Sequence, residues 1–597
     1  MAKTNTVTEV RPRLSFQGDT TNATAGKHRS SSPYTVPSSE AYDAGLARIP
    51  VTPNDDLKPT SRSYMGEPLE HLSRALSNSS RVKPAEDTLE LRPTASHTAQ
   101  LSGLPEEAGS PTQPIIQGVP PELDNLTKEI IFVLVCTSGQ LLFSFFMGNV
   151  TVNQESFKRA LGLQTAQTPW LVGSYLIALG LSVIVAGSLT DLVPPKRVVV
   201  TAFAWLTLWN IVGAFTLSPS RSVLFFFMRA MQGLAVGVLV SASMSILGRV
   251  YKPGHRKTQV FSVMATGAPL GFWIGTLQGG ALSHRLPWVF GSTAMLCGLW
   301  CIAAWYTIPP LRPAADTAGS EAPGIRQFDF KGAICAVAGC ICLLFGLTQG
   351  SAAHWSPYTY VLIIVGVLLL ALFFWVEQRV ARPMIPSKLW RTPGFAPLML
   401  AYFLSFGGYA GAWQWYVVQF FLRIQRKSPL TVALYFIPNL IAGVIATFLV
   451  SRLLHKVPGH YIYTASMIAY ALGPSLFLPQ TRGTTYWALS MPGIAIATFG
   501  PDMAFASASI FITSNVARSY QGSAGSLLVT IQNLAAAIFT SLADAIATKV
   551  DLQPDGEIGL RGLKAAWWLA LAAQLLGAVI TAVAVRIPKE EEKEHAT

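Results

Sequence analysis

Charge is scarce in this sequence: Asp, Glu, Lys and Arg make up 13% of it, where a soluble globular chain carries roughly 25%. So few charges cannot cover a water-facing surface, which excludes an ordinary soluble domain. Cysteine is scarce too. The six are Cys136, Cys297, Cys301, Cys335, Cys340 and Cys342, and each lies in or beside an apolar segment. Cys340 and Cys342 have the wrong spacing for a redox or zinc pair, and no histidine lies near enough to complete a metal set. No nucleophile motif or phosphate-binding loop occurs either, so neither an enzyme nor a resident cofactor or metal is expected. Residues 1–125 lack long apolar runs altogether. They are rich in Ser, Thr, Pro and charge, show neither a 3.6 nor a 2 period, and cannot bury enough surface to offset their backbone entropy. A disordered cytoplasmic tail is the expectation for them. The opening MAKTNTVTEVRPRL has no apolar core of a secretory signal, so the first hydrophobic helix is expected to direct membrane insertion itself.

Beyond the tail, 51% hydrophobic composition is concentrated in apolar runs. Crossing the hydrocarbon takes roughly 20 apolar residues in a helix, since no water is there to satisfy backbone groups. Fourteen segments fit: 130–149, 169–190, 198–217, 222–248, 259–282, 288–308, 332–350, 358–377, 396–422, 431–453, 460–479, 486–512, 523–548 and 565–587. The net charge of +13 belongs to this part, because up to Lys128 there are 13 basic against 15 acidic residues. Basic loops facing an anionic lipid surface account for it better than nucleic acid does. With both termini cytoplasmic, the inner loops and C-terminal end hold Lys196, Arg197, Arg249, Lys252, Arg256, Lys257 and thirteen more, against chiefly Lys158, Arg159, Arg423, Arg426, Lys427, Arg561 and Lys564 outside. The positive-inside rule therefore puts the termini in the cytoplasm. The proline-rich stretch 309–331 reads as a cytoplasmic connector between bundles at 126–308 and 378–587. Residues 332–377 then form two additional helices, and 588–597 a short tail.

Three motifs narrow the function classes that hydropathy leaves open. GSLTDLVPPKRVV joins the second and third segments, with Gly187 allowing close helix approach, Asp191 at a helix end and Lys196 and Arg197 beside it. Such a loop can latch two bundles through charge pairs, or be an ordinary basic loop. FFMRAMQGLAVG in the fourth segment carries Arg229, Gln232 and Gly233. An arginine there either faces the interior with a partner, as a candidate for proton coupling along with Asp502, or snorkels to the interface. GAPLGFWIGTLQGGAL in the fifth places Gly267, Pro269, Gly271, Gly275, Gly279 and Gly280 on one helix. Glycines four apart make a flat face on which another helix can pack or slide.

These motifs, in this order and spacing, resemble those of the major facilitator superfamily, the third of them the motif associated with its antiporters. The stretches TPWLVGSYLIALGLSVIVAGSLTD, ILGRVYKPGHRKTQVFSVMATGAPLGF, FDFKGAICAVAGCICLLFGLTQG and GPDMAFASASIFITSNVARSYQGSAGSLL extend the likeness. They resemble the fungal drug:proton antiporters with fourteen helices, in the branch of aminotriazole and boron resistance proteins. The resemblance implies an all-α fold of two six-helix bundles plus two helices. It also implies a monomeric efflux pump in the plasma membrane that exchanges drugs, toxins or secondary metabolites for protons. Pro194 stands where the family has glycine and Leu192 where it has a basic residue, which weakens the charge latch. Helix one ends FFMGNVTVNQESF without the family's aspartate, and SAGSLLVTIQNLAAAIF in helix thirteen is more apolar than expected.

Proton coupling needs a group that changes charge as water access switches sides. Asp502, in GPDMAF, is the one carboxylate expected near mid-helix, its alternative being a cap after the Gly500–Pro501 break. Asp544 reads as interfacial and Glu155 as a loop or gate residue. Cargo contacts are expected from polar and aromatic side chains at the midplane. The candidates are Gln140, Tyr402, Tyr409, Trp413, Gln414, Gln532 and Asn533, with interfacial anchoring or interhelical bonding as the plainer readings. Two other functions stay open: a carrier for a small polar species such as borate or ammonium, and a non-transporting membrane sensor.

Overall fold

The computed structural model describes residues 120, 123, 125–251, 255–311, 329–380, 383–385, 387–453, 456–516 and 521–587. The tail 1–119, most of the connector and the end 588–597 lie outside the described residues, as does the side chain of Asp191. All described residues belong to one compact unit beginning at Gly109. Among the described residues, fourteen long helices occupy the fourteen expected places. They are α1 Leu126–Val152, α2 Trp170–Leu192, α3 Pro195–Ala214, α4 Ser222–Val250, α5 His255–Ala281, α6 Leu286–Thr307, α7 Phe330–Ala352 and α8 Pro357–Glu377. After them come α9 Phe395–Ile424 and α10 Pro429–Val450, then α11 Gly459–Phe477, α12 Met491–Asn515, α13 Gln521–Val550 and α14 Leu560–Ala584.

Thirteen of these places are long and apolar enough to cross a membrane. The exception is the helix at the expected place 460–479, which falls short of that hydropathy. Helix α11 has 19 residues, carries His460, Thr464 and Ser466 beside its tyrosines, and contains Pro474. Its composition is too polar for the measure its neighbours meet. Helix starts follow local chemistry. Asn125 caps α1 by accepting from the Lys128 amide at 2.8 Å, and Ser428 caps α10 by accepting from Thr431 at 3.2 Å. Proline fills the first turns of α3, α8 and α10, where a missing N–H costs nothing.

Helices α1–α6 pack as one group, α1 along α5, α2 along α4, and α3 against α4 and α6. Helices α9–α14 form a second group, in which α13 and α14 embrace α9, and α12 lies between α10 and α11. Two seams join the groups, α2 with α13 and α5 with α10, while α7 and α8 pair and α7 rests on α2 and α13. Outward faces are apolar, as a lipid-facing surface requires: α6 exposes Leu299, Ile302 and Trp305, and α8 exposes Val361, Ile364 and Leu368.

The closest packing is between α1 and α5. Gly267, Gly271, Gly275 and Gly279 lie against Thr137, Leu141, Phe145 and Asn149, so each glycine meets backbone four residues along from the last. A methyl at Gly271 would collide with the Leu141 carbonyl, and one at Gly275 with that of Phe145. Polar contacts close both ends of the seam. Glu129 pairs with Arg256 and accepts from the Tyr251 hydroxyl at 2.9 Å, and Asn153 donates to the Gly279 carbonyl at 2.7 Å. In α9 the helix widens into π-type turns at Gly407–Gln414 and again at Phe420–Ile424. There Gly411 meets the Ala536 backbone of α13, and wide turns of this kind recur at functional places.

Because the Leu141 backbone cannot move aside, Gly271→Val should destabilise the purified protein by about 2 kcal/mol, read as a lower midpoint in a detergent thermal-aggregation assay. Gly173→Ala, where nothing lies within 4 Å of an added carbon, should leave the midpoint unchanged.

Candidate functional site

Arg229 is wholly buried on α4, which removes the snorkelling alternative. Its Nε donates to the Leu171 carbonyl at 3.1 Å, one terminal nitrogen to Gln232 Oε1 at 2.7 Å and the other to the Phe146 carbonyl at 3.2 Å. The guanidinium also lies 4.6 Å from the centre of the Tyr175 ring. Gln232 passes the chain on, its Nε2 donating to Asn210 Oδ1 at 2.8 Å. One cation thereby ties α1, α2, α3 and α4 together, using dipoles and a π face; among the described residues no carboxylate pairs with it. Gly233 and Gly237 make this possible, since they bring α4 onto the Tyr175 and Leu179 backbone of α2.

Helix α5 has a second face. Opposite its glycine ladder, Pro269 abuts Gly443 of α10, Phe272 meets the Phe436 ring at 5.4 Å and Gly280 touches Pro429 and Leu430. The antiporter-like stretch is thus divided between a packing face within the first group and a contact face toward the second. Asp502 stands beside that contact. It is inside α12, one residue after Pro501, so it is no helix cap. Its Oδ2 is enclosed and has no hydrogen-bond partner among the described residues. A carbon added at Gly443 would come within 3.3 Å of that oxygen. One turn earlier, Thr498 Oγ1 accepts from Asn439 Nδ2 at 2.9 Å. At the end of α1, Asn149 is fully buried and neither atom of its amide has a partner among the described residues.

The aromatic residues of α9 are not interfacial. Trp413 is 1% exposed, packed on Tyr409, Phe477 and Gly473. Tyr409 also meets the Tyr470 ring at 5.4 Å, and Gln414 donates to its hydroxyl at 3.5 Å. Tyr402 donates to Gln532 Oε1 of α13 at 2.7 Å. Asn533 donates to its own helix at Val529 and packs on Gly180 of α2, while Gln140 is half-buried on α1. Tyr402, Tyr409, Trp413, Gln414 and Gln532 are therefore gathered within the second group, with Asn533 on the α2–α13 seam and Gln140 in the first group.

Gly187 faces Ser526 of α13 across the seam between the groups. Lys196 instead lies 5.6 Å over the Trp305 ring within its own group, and Arg197 is exposed.

A second polar cluster, at the end of the bundle where α1 meets α2 and α9 meets α10, was legible in sequence only as loop charges. Lys158 Nζ donates to Thr165 at 2.7 Å and to Glu557 at 2.5 Å. Arg423 pairs with Glu155 at 3.0 Å and with Glu557. Burial and the nearby Arg423 charge pull the Lys158 ammonium down to about 8, against the opposing pull of the Glu155, Asp555 and Asp544 carboxylates. Asp544, expected at the interface, is instead fully buried near Lys158. A cavity of about 800 Å³ opens beside the cluster, lined by Lys158, Thr165, His354, Trp355, Lys549 and Glu557. The signal available in sequence was that charges of both signs sit at 155–158, 423 and 555–557 while the neighbouring helices are almost uncharged.

Residues 135–540 match the family model described as Major Facilitator Superfamily. The chain is 30% identical over 465 residues to the low affinity ammonium transporter of Saccharomyces cerevisiae, covering 77% of this chain and 88% of that one. To an efflux pump of Aspergillus terreus it is 29% identical over 76% of this chain and 88% of the other. To the aminotriazole resistance protein of Saccharomyces cerevisiae it is 26% identical over 76% and 83%. Among solved structures, a human organic anion transporter superposes with a TM-score of 0.51 at 17% identity, over 77% of this chain and all of that one. That likeness concerns the fold.

Arg229→Ala should cost about 3 kcal/mol, because Gln232 and two carbonyls lose a buried charged donor together. Arg229→Lys should recover only part of it, since an ammonium cannot span three acceptors and a ring. Thermal midpoints of the purified variants check both.

Proposed function

The chain belongs to the major facilitator superfamily, and on that footing we propose that it is a proton-coupled secondary transporter that exports drugs, toxins or secondary metabolites by alternating access. The proposal takes all fourteen helices as crossings, with α11 shielded by α12 and α14, and takes residues 126–308 and 378–587 as the halves that rock. Both termini are then cytoplasmic and the working unit is a monomer in the plasma membrane.

The observation that carries the reading is Asp502. A carboxylate inside a membrane helix, enclosed and without a partner for one oxygen, is costly to keep charged and is a candidate for proton binding. It stands where Pro269 of α5 meets Gly443 of α10, at a contact between the two groups, so a change in their packing changes its surroundings. Arg229 serves as the fixed positive charge that organises the first half. Gly187, Asp191, Lys196 and Arg197 act as the loop that α2 and α13 work against. Gln140, Tyr402, Tyr409, Gln414, Gln532 and Asn533, with Trp413 as their backing, supply rings and amides suited to amphipathic cargo. The efflux pump and the aminotriazole resistance protein among the relatives support export. A second reading, carriage of a small polar species, is favoured by the ammonium transporter.

Cells making the protein should accumulate severalfold less of a fluorescent amphipathic drug than cells without it, and collapsing the proton gradient should abolish the difference. Asp502→Asn should remove the gradient dependence while surface expression stays intact. Drug accumulation indifferent to the gradient, together with uptake of labelled methylammonium, would give the second reading precedence.

A further inference from the structure

The cluster of Glu155, Lys158, Arg423 and Glu557 has a structural basis in both helix groups. Residues 154–161 form a short helix. Phe157 anchors it to the first group by packing on Phe225 and Phe290 at 5.5 and 5.7 Å. Gln154, Glu155 and Lys158 project from it toward the second group, where Gln154 Oε1 accepts from Gln419 Nε2 at 3.1 Å. On the other side, the link between α13 and α14 is a hairpin. Leu552 bridges to Ile558, Gln553 N donates to the Glu557 carbonyl at 2.7 Å and Gly559 N to the Asp551 carbonyl at 2.9 Å. Gly556 sits at φ +76°, a left-handed turn position that favours glycine. The turn presents the Gly556 carbonyl to the Thr165 hydroxyl and the Glu557 carboxylate to Lys158 and Arg423.

We infer that the hairpin 551–559 is a reversible electrostatic bolt that holds this end of the two helix groups together, with the Glu557 carboxylate as its moving part. Each group contributes one acid and one base. The pairs that cross between groups are Lys158 with Glu557 and Glu155 with Arg423. When the groups separate, Glu557 keeps Arg423, which it already touches within its own group. Glu155 and Lys158 are three residues apart on one helix, a spacing at which opposite charges meet. Every charge therefore has a partner in both arrangements, so separation exchanges partners instead of stranding a desolvated charge. A permanent rivet would lack that second set of partners. The cavity beside Lys158 and Glu557 gives water a route to the pair.

This inference rests on the alternating-access reading, yet its test needs neither cargo nor gradient. A thiol is introduced by Gln154→Cys, at a position 1% exposed beneath the bolt, and its labelling by a polar maleimide is followed in the purified full chain. The chain without that substitution supplies the background of the six native thiols. Labelling should be slow, speed up with salt as the ion pairs are screened, and become about tenfold faster and less sensitive to salt when Glu557→Gln is added, since only the Glu155–Arg423 pair then remains. Glu155→Gln, which leaves the hairpin untouched, should act in the same direction and covers the case of a poorly folded Glu557 variant. Arg159→Gln, on the same short helix but outside the cluster, should change nothing. Equal rates in the Glu557→Gln, Glu155→Gln and starting proteins, or acceleration by Arg159→Gln as well, would overturn the bolt. Loss of drug efflux with the labelling pattern intact would count against the transport reading instead.

Discussion

Everything in the first helix group depends on how close α1 and α5 come. Four glycines at four-residue spacing remove every side chain from one stripe of α5, and the backbone of α1 fills the space. Inside a membrane the hydrophobic effect does not drive helices together, so contact area at short range must. The seam also fixes the rotation of α5 about its axis. With the glycines turned to α1, Pro269, Phe272 and Gly280 turn to α10. The face available to the second group is thus set by the packing of the first.

Polar groups are then distributed around that geometry in two ways. Arg229 is saturated: carbonyls of α1 and α2, an amide of its own helix and the Tyr175 ring share its charge. Such a group holds helices in register and has little reason to move. Asp502, half-buried with one enclosed oxygen, and Asn149, fully buried, are the opposite, each with side-chain atoms that have no partner among the described residues. Unsatisfied polar atoms are expensive, and in a transporter they are the natural places for a proton, a water or cargo to bind. At the far end the Lys158–Glu557 and Glu155–Arg423 pairs add a third kind of polar contact, one that is satisfied but exchangeable.

Helix positions were legible in the sequence because the bilayer imposes a length and a composition on each crossing. Helix α11 falls short of that measure because His460, Thr464, Ser466 and Pro474 dilute its apolar residues. The glycine ladder was legible as a flat face, but its partner was not, since any of several helices could have filled it. Trp413 and Asp544 show the limit most directly. For both, the membrane interface is the reasonable expectation from sequence, and both are instead buried among neighbouring helices.

By itself, the sequence determined which segments are helical and apolar, where charge is tolerated, and, through the residues of its three motifs, the family to which the chain belongs. These are local properties, set by hydrocarbon thickness, backbone hydrogen bonding and the absence of side chains at particular glycines. Tertiary structure alone decided which residues meet. It put Arg229 among carbonyls, set Asp502 beside Gly443, and brought Lys158 to Glu557 across 399 positions of chain. The reason is that hydropathy records only a residue's exchange between water and lipid, whereas partnership depends on the rotation and translation of whole helices, which the contacts of every other residue on them decide together.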